Sequence, residues 1–297
     1  MTGAVQIEPG SAEWLALITP SKVAAILGIS RYESPYRLWH RMKGLVAPEP
    51  PADRFDVGHA MELALAELWR IQNPGWQLSP GPVQLRRDFG PFESVATLDR
   101  RARRGKLRRC VEFKTARKLE EWGDFGTDQA PTDYVVQAIW QMFVSGYTQL
   151  PAHLLVMGPY FQHHTYEIPF DAEVALATLD RVRAFAELLK ADTPPPLDDS
   201  VATYECVRAL HPDLVEGAVD LDVDEAVEYL RATHAAKAAD KRLLTAKIRI
   251  SHAMGNATTA LANGEHVASR RRQGKSIALV AATKTSIEAI TKESIPA

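Results

Sequence analysis

Three residues near the middle of the chain have the types and spacing for hydrolytic chemistry: Asp99, Glu112 and Lys114. Glu112 and Lys114 sit in the run "CVEFKTA", and Asp99 closes the run "VATLD". In a strand, residues two apart project to the same side, so Glu112 and Lys114 share one face while Val111, Phe113 and Thr115 share the other. A hairpin joining the two runs across "RARRGK" brings Asp99 alongside. Two carboxylates beside an amine can hold a divalent cation, which prefers oxygen ligands, and basic surroundings can hold phosphate. The chemistry this predicts is phosphodiester cleavage. Asp99 and Glu112 act as metal ligands with the backbone carbonyl of Phe113, and Lys114 positions or helps deprotonate the attacking water and offsets charge on the phosphorane. Glu62, on a preceding helix, completes the site directly or through water.

An E-x-K triplet alone is common, usually as a solvated ion pair, so its force depends on the elements around it. "SKVAAILGIS" has helical spacing with Ser21 as its cap and Gly28 as its stop, and "SPYRLWHRMKGL" reads as a second helix from Ser34-Pro35 to Gly44. Residues 56–71 place Met61, Leu65 and Leu68 on one helical stripe, with Glu62 at its edge. His59, three residues earlier, reads as structural. Strand-like pieces follow in "WQLSPGPVQLR", "FESVATLD" and "LRRCVEFKTA", then a helix over "PTDYVVQAIWQMFVSG", a strand pair in "AHLLVMG" and "HHTYEIPF", and a helix running into "DTPPPLDDS". This predicts an α/β domain over residues 1–198, a mixed sheet flanked by helices. Residues 199–297 form a helical extension, with one long helix up to Gly255 and a small hairpin about Gly274.

Composition bounds the rest. The chain has 297 residues, is 46% hydrophobic, and carries two cysteines, too few for a disulfide framework or an all-thiolate zinc site. No run is long enough to span a membrane and the amino terminus lacks a basic start with an apolar core, so the expected location is the cytoplasm. The net charge of -2 hides an asymmetry, because Arg100–Lys118 is strongly basic with Glu112 as its acid. There is no phosphate loop and no nucleophile elbow, hence no sign of an ATP-driven motor. Adjacent strand residues His163 and His164 point oppositely and cannot chelate one ion together. The stripe Trp122, Trp140 and Phe143 reads as core.

A Glu on a helix, an Asp on a strand, E-x-K on the next strand and then a helix resembles the PD-(D/E)-x-K nuclease superfamily. Within it the chain is similar to the lambda-exonuclease and YqaJ-type phage recombinase nucleases. The likeness runs from Trp14 to Pro196 through "ITPSKVAAILGIS", "YESPYRLWHRMKG", "VGHAMELALAELW", "VATLDR", "VEFKTA" and "DYVVQAIWQMFVSG". Leu98 stands where those enzymes have proline. The resemblance implies a restriction-endonuclease-like core, metal ligation by Asp99 and Glu112, a catalytic Lys114, a supporting Glu62 and an active-site Gln137. It sets Tyr134, one helical turn earlier, against the DNA backbone, and gives Ser21 to a terminal phosphate. The arginine that precedes this serine in lambda exonuclease is missing from "WLALITPSK", and Lys22 or Arg31 are the available substitutes.

The implied activity is a magnesium-dependent exonuclease, with manganese as a substitute. It digests linear double-stranded DNA 5' to 3' and leaves single strand for a single-strand annealing protein. The implied setting is a phage or prophage gene in a bacterial host, and the implied assembly is a ring-shaped homo-oligomer, a trimer by analogy. Arg100, Arg101, Arg103 and Arg104, with Lys106, Arg108 and Arg109, are expected to contact backbone phosphates without reading sequence. Two other readings stay open: a structure- or single-strand-selective endonuclease, and a recombination accessory that binds DNA without cutting it.

Overall fold

The structure is a computed structural model that describes residues 7–8, 10–47, 53–125, 127 and 129–291, and the backbone alone at 53–56 and 59. The His59 side chain thus lies outside the described residues. The chain divides into two units, residues 1–214 and 215–297.

The first unit opens with helices α1 (Ala12–Ala16), α2 (Pro20–Ile26), α3 (Pro35–Met42) and α4 (Asp53–Gln72). Ser34 caps α3 as expected, its hydroxyl accepting from Arg37 N–H at 3.0 Å. Ser21 is not the cap of α2. Pro20 occupies the first helical position, which tolerates a missing N–H, and the cap falls to Thr19.

Strands β1 (Gln77–Leu78), β2 (Val83–Asp88), β3 (Glu93–Leu98), β4 (Arg100–Arg104) and β5 (Leu107–Thr115) come next. Helix α5 (Thr132–Ser145), strands β6 (Ala152–Met157) and β7 (His163–Ile168), and helices α6 (Ala172–Lys190) and α7 (Val201–Leu210) complete the unit. Among the described residues, the main sheet has the order β1-β4-β5-β6-β7, with β5 and β6 parallel and the other neighbours antiparallel. β2 and β3 pair separately. The result is the expected α/β layout, a mixed sheet between helices.

"RARRGK" is not a loop. Arg100–Arg104 is itself a strand, paired with β5 from Arg100↔Val111 to Arg104↔Leu107, and the turn is Gly105-Lys106, with Gly105 at φ +58°. Alternation then splits the arginines between two faces. Ala102 packs with the α4 side of the sheet, and Arg100, on the same side, is buried over the Phe113 ring.

The two sheet faces have separate cores. Val111, Phe113 and Leu155 pack against Leu65, Ala66 and Trp69 of α4. Cys110, Leu154 and Val156 pack against Ala138, Ile139 and Met142 of α5. The α4 stripe is rotated from the expected one: Leu65 and Trp69 are its buried members, while Met61 is half-buried. Trp122 and Trp140 are buried in the core, as predicted.

The unit boundary falls after α7, not at the proline-rich linker before it. Ala202, Thr203 and Cys206 of α7 are buried, Thr203 Oγ1 donates to Ser34 Oγ at 2.8 Å, and Glu205 pairs with Arg37 at 2.8 Å. These contacts tie α7 to α3. The second unit has helix α8 (Val223–Met254), a three-stranded meander of β8 (Thr259–Ala262), β9 (Glu265–Gln273) and β10 (Ser276–Ala281), and α9 (Ile287–Thr291). The expected hairpin about Gly274 is present, but Asn263-Gly264 adds a further strand to it. Among the described residues no helix is long and apolar enough to cross a membrane.

Candidate active site

The site forms where β3 bends into β4. Arg100 pairs with Val111, so Asp99, one residue earlier, falls beside Glu112. The bend is fixed by its own acid: Asp99 Oδ2 accepts from Phe113 N–H at 2.7 Å. Leu98, just before it, is fully buried against the α5 side, so an apolar residue in place of the usual proline serves the packing.

Glu112 is the centre of the network. Its side chain points to the α5 face, as period-two alternation requires, and is buried. Oε1 accepts from Lys114 Nζ at 2.6 Å and from Gln137 Nε2 at 2.6 Å. Oε2 accepts from Gln141 Nε2 at 2.7 Å, and that amide also reaches Thr97 O at 3.4 Å. An ionised carboxylate only accepts, so both glutamines turn their NH₂ groups toward it.

Sequence reasoning missed Gln141. The signal was available: Gln137 and Gln141 are four residues apart on α5, one helical turn, so a glutamine that reaches the sheet predicts that the next one does too.

The charges of these groups are coupled. Burial pushes the Asp99 carboxyl well above the usual range and repulsion from Glu112 adds to it, against opposing pulls from Lys114 and the Phe113 N–H; Glu62 repels it further. Burial acts to lower the Lys114 pKa, but the charges of Glu112 and Asp99 outweigh it and hold the amine above its ordinary value. In this arrangement the Lys114 amine is a hydrogen-bond donor to Glu112, and the neighbouring carboxylates favour its charged form.

Tyr134 positions Lys114. Its ring centre lies 5.0 Å from Nζ and 5.1 Å from the Arg31 guanidinium, and it packs on Trp122 at 5.5 Å. Both cations are drawn to the ring by its quadrupole. Arg31 in turn pairs with Asp133 at 3.0 Å and with Glu121.

Asp99, Glu112, Lys114 and Gln137 thus come together, with Tyr134 beside Lys114. Glu62 acts on Asp99 through charge, but among the described residues no three acidic, histidine or cysteine side chains form a metal-binding cluster. Ser21 is not in the network; it is exposed, with its hydroxyl 3.1 Å from Thr19 Oγ1. Lys22 is committed elsewhere, donating to the carbonyls of Trp14, Leu15 and Leu17 at 2.8, 2.7 and 2.6 Å.

The basic residues do not form one patch. Arg100 is buried and donates to Asp99 O at 2.5 Å. Arg101 is half-buried, Arg103 is exposed and reaches Gln77 at 2.7 Å, and Arg104 is exposed over Trp76 at 4.7 Å. His163 and His164 point apart as alternation demands: the first contacts Gln72, the second stacks on Phe125.

A bent strand ending in Asp, an adjacent E-x-K strand and a covering helix that reaches the Glu define the restriction-endonuclease-like class of fold. Residues 13–148 match the model of the YqaJ-like viral recombinase domain, the family that the motifs resemble. Among solved structures, an alkaline exonuclease from Laribacter hongkongensis is 18% identical, with 61% of this chain and 91% of that one covered at a TM-score of 0.48. A putative exonuclease from Eubacterium rectale is 10% identical, with 73% of this chain and 97% of that one covered at a TM-score of 0.47. No curated protein matches the chain.

Proposed function

We propose that the chain is a divalent-metal-dependent deoxyribonuclease of viral recombination, an exonuclease that degrades linear duplex DNA 5' to 3'. The observation that carries this reading is the convergence of Asp99 and Glu112 beside a lysine held as a cation. Two neighbouring carboxylates, one of them raised by burial and by the other's charge, carry a surplus of negative charge that one ammonium only partly balances. Their donor atoms are oxygens, the kind magnesium prefers, with manganese acceptable. The residues present fit the ion: Asp99, Glu112 and the Phe113 carbonyl would hold it, and Glu62 would reach it through water. When bound, it polarises a phosphoryl oxygen and lowers the pKa of water.

This chain's own groups do the rest. Lys114 directs its ammonium protons at the attacked phosphate, where negative charge grows. Gln137 and Gln141 hold the Glu112 carboxylate in one orientation, and Tyr134 keeps Lys114 over the site. Arg101, Arg103 and Arg104 contact backbone phosphates, which gives affinity without sequence preference. Ser21 holds the terminal phosphate. The single strand that remains passes to an annealing protein, and the active form is a trimeric ring around DNA, as the lambda-exonuclease resemblance suggests.

The test is digestion of an end-labelled linear duplex in magnesium. Expected are mononucleotides from the 5' end, none from closed circular DNA, and no product from Asp99→Ala. Binding without cleavage in magnesium or manganese would instead make the protein an accessory, and cutting of closed circles would make it an endonuclease.

A further inference from the structure

Between β6 and β7 the chain displays two aromatic rings to solvent: Tyr160 is 92% exposed and Phe161 79% exposed. Both have left-handed backbones, φ 56° and 61°, a conformation that bulky L-residues rarely adopt and that Gly or Asn would take more readily. Among the described residues neither ring has an aromatic partner. The turn beneath them is built firmly. Gly158 N–H donates to Gln162 O at 2.7 Å and Gln162 N–H to Pro159 O at 3.2 Å. Leu119 packs so closely on Gly158 that a Cβ there would come within 2.6 Å of it. The rings are therefore presented by a closed, braced turn and not by a loose loop.

They also line a cleft. Its other walls include Met61 of α4, Thr115 and Arg117 at the end of β5, and Met157 at the end of β6. Thr115 and Met157 are register partners at the C-terminal ends of the parallel strands β5 and β6, so the cleft opens at the end of the strand that carries Glu112 and Lys114, on the face that packs against α4. Among the described residues of its lining, Arg117 is the one charged side chain and none is acidic. An apolar floor, two upright rings and one exposed cation suit an unpaired nucleotide: a base has a π-face to stack, and its phosphate meets the guanidinium.

Resting on the nuclease reading above, we propose that Tyr160 and Phe161 are a stacking site for unpaired bases of a DNA strand at the active site, with Arg117 on the adjoining phosphate. Stacking of this kind is blind to base identity, which fits an enzyme that degrades any sequence. The two rings add affinity without adding charge.

The test measures binding of the full chain to a short labelled oligothymidylate containing the fluorescent base aminopurine, in EDTA so that no cutting intervenes. Expected is quenching of aminopurine on the wild-type protein. The double variant Tyr160→Ala, Phe161→Ala should abolish the quenching and bind roughly 5- to 100-fold more weakly with an unchanged salt slope. Tyr160→Phe keeps the ring and should bind and quench like wild type. Equal binding and equal quenching by the double-alanine variant would overturn the proposal, as would a wild-type protein that binds the strand without quenching. Duplex digestion in magnesium is read in parallel. Quenching with no digestion by wild type sinks the nuclease reading alone, whereas digestion with no effect of the double variant on binding or KM sinks the stacking site alone.

Discussion

Gln141 Nε2 donates to Glu112 Oε2 at 2.7 Å, occupying the oxygen that Lys114 and Gln137 leave open. Replacement by Met keeps the volume and removes the donor from a buried carboxylate. Groups that orient a metal ligand typically contribute roughly 10- to 100-fold, so Gln141→Met is expected to lower nuclease turnover by that factor and to raise the magnesium concentration at half-maximal rate. A magnesium titration of the digestion rate checks both.

Asp99 is held against its own preference, because burial and Glu112 raise its carboxyl pKa in the folded state. The folded protein binds this proton more tightly than the unfolded chain. The unfavourable contribution is thus present at neutral pH and is relieved as pH falls through the folded pKa. Asp99→Asn removes the charge and still accepts from Phe113 N–H. It should abolish cleavage yet raise the melting midpoint by about 2–4 °C, the response to about 1 kcal/mol. Calorimetry beside the digestion assay separates the two effects.

His153 gives the opposite sign. Buried, and near Arg109, it has its pKa lowered from 6.5 to about 3, while Trp69 Nε1 donates to its Nδ1 at 2.9 Å. The unfolded chain takes up the proton first, so the stability due to neutral His153 is complete above about pH 6.5 and drains away toward about pH 3. The decrease amounts to a few kcal/mol at most by linkage. Urea midpoints measured across that window should fall steeply for wild type and less so for His153→Gln, which still offers Trp69 an acceptor.

The arginines of β4 separate by burial. Arg103→Ala with Arg104→Ala should weaken duplex binding and reduce the slope of log K against log salt by about 0.9 for each phosphate no longer neutralised. Arg100→Ala, at a buried position beside Asp99, should lower the melting temperature instead. An unchanged slope in the double variant would remove the phosphate role of that edge.

A chain ending at Leu214 should melt like the first unit of the whole protein. One ending at Asp198 strips α7 from α3 and exposes the sites vacated by Ala202, Thr203 and Cys206. Its midpoint should drop by about 4–8 °C, the response to about 2 kcal/mol.

Local rules carried much of this protein. Period-two alternation assigned Glu112 and Lys114 to one face, capping residues bounded α3, and Gly146 and Gly255 ended α5 and α8 where helical spacing ran out. These features depend on neighbours within a few residues, so the sequence alone displays them. Residue types and strand spacing pointed to Asp99, Glu112 and Lys114 and to the kind of chemistry, and the resemblance added Gln137, Tyr134 and Ser21.

What local rules did not reach depends on packing between distant segments. Whether an arginine faces water or lies under a sheet is decided by what packs above it; Arg100 is buried because its strand face is shared with Ala102 and covered on the α4 side. The inclusion of α7 in the first unit rests on Ser34 and Arg37, far away in sequence. The charge on Lys114 likewise follows from tertiary placement, since an amine keeps its proton only where carboxylates, one of them from another strand, outweigh its burial. The order of residues determines which groups exist and which way each strand or helix turns them; only the folded chain sets their dielectric surroundings and their partners.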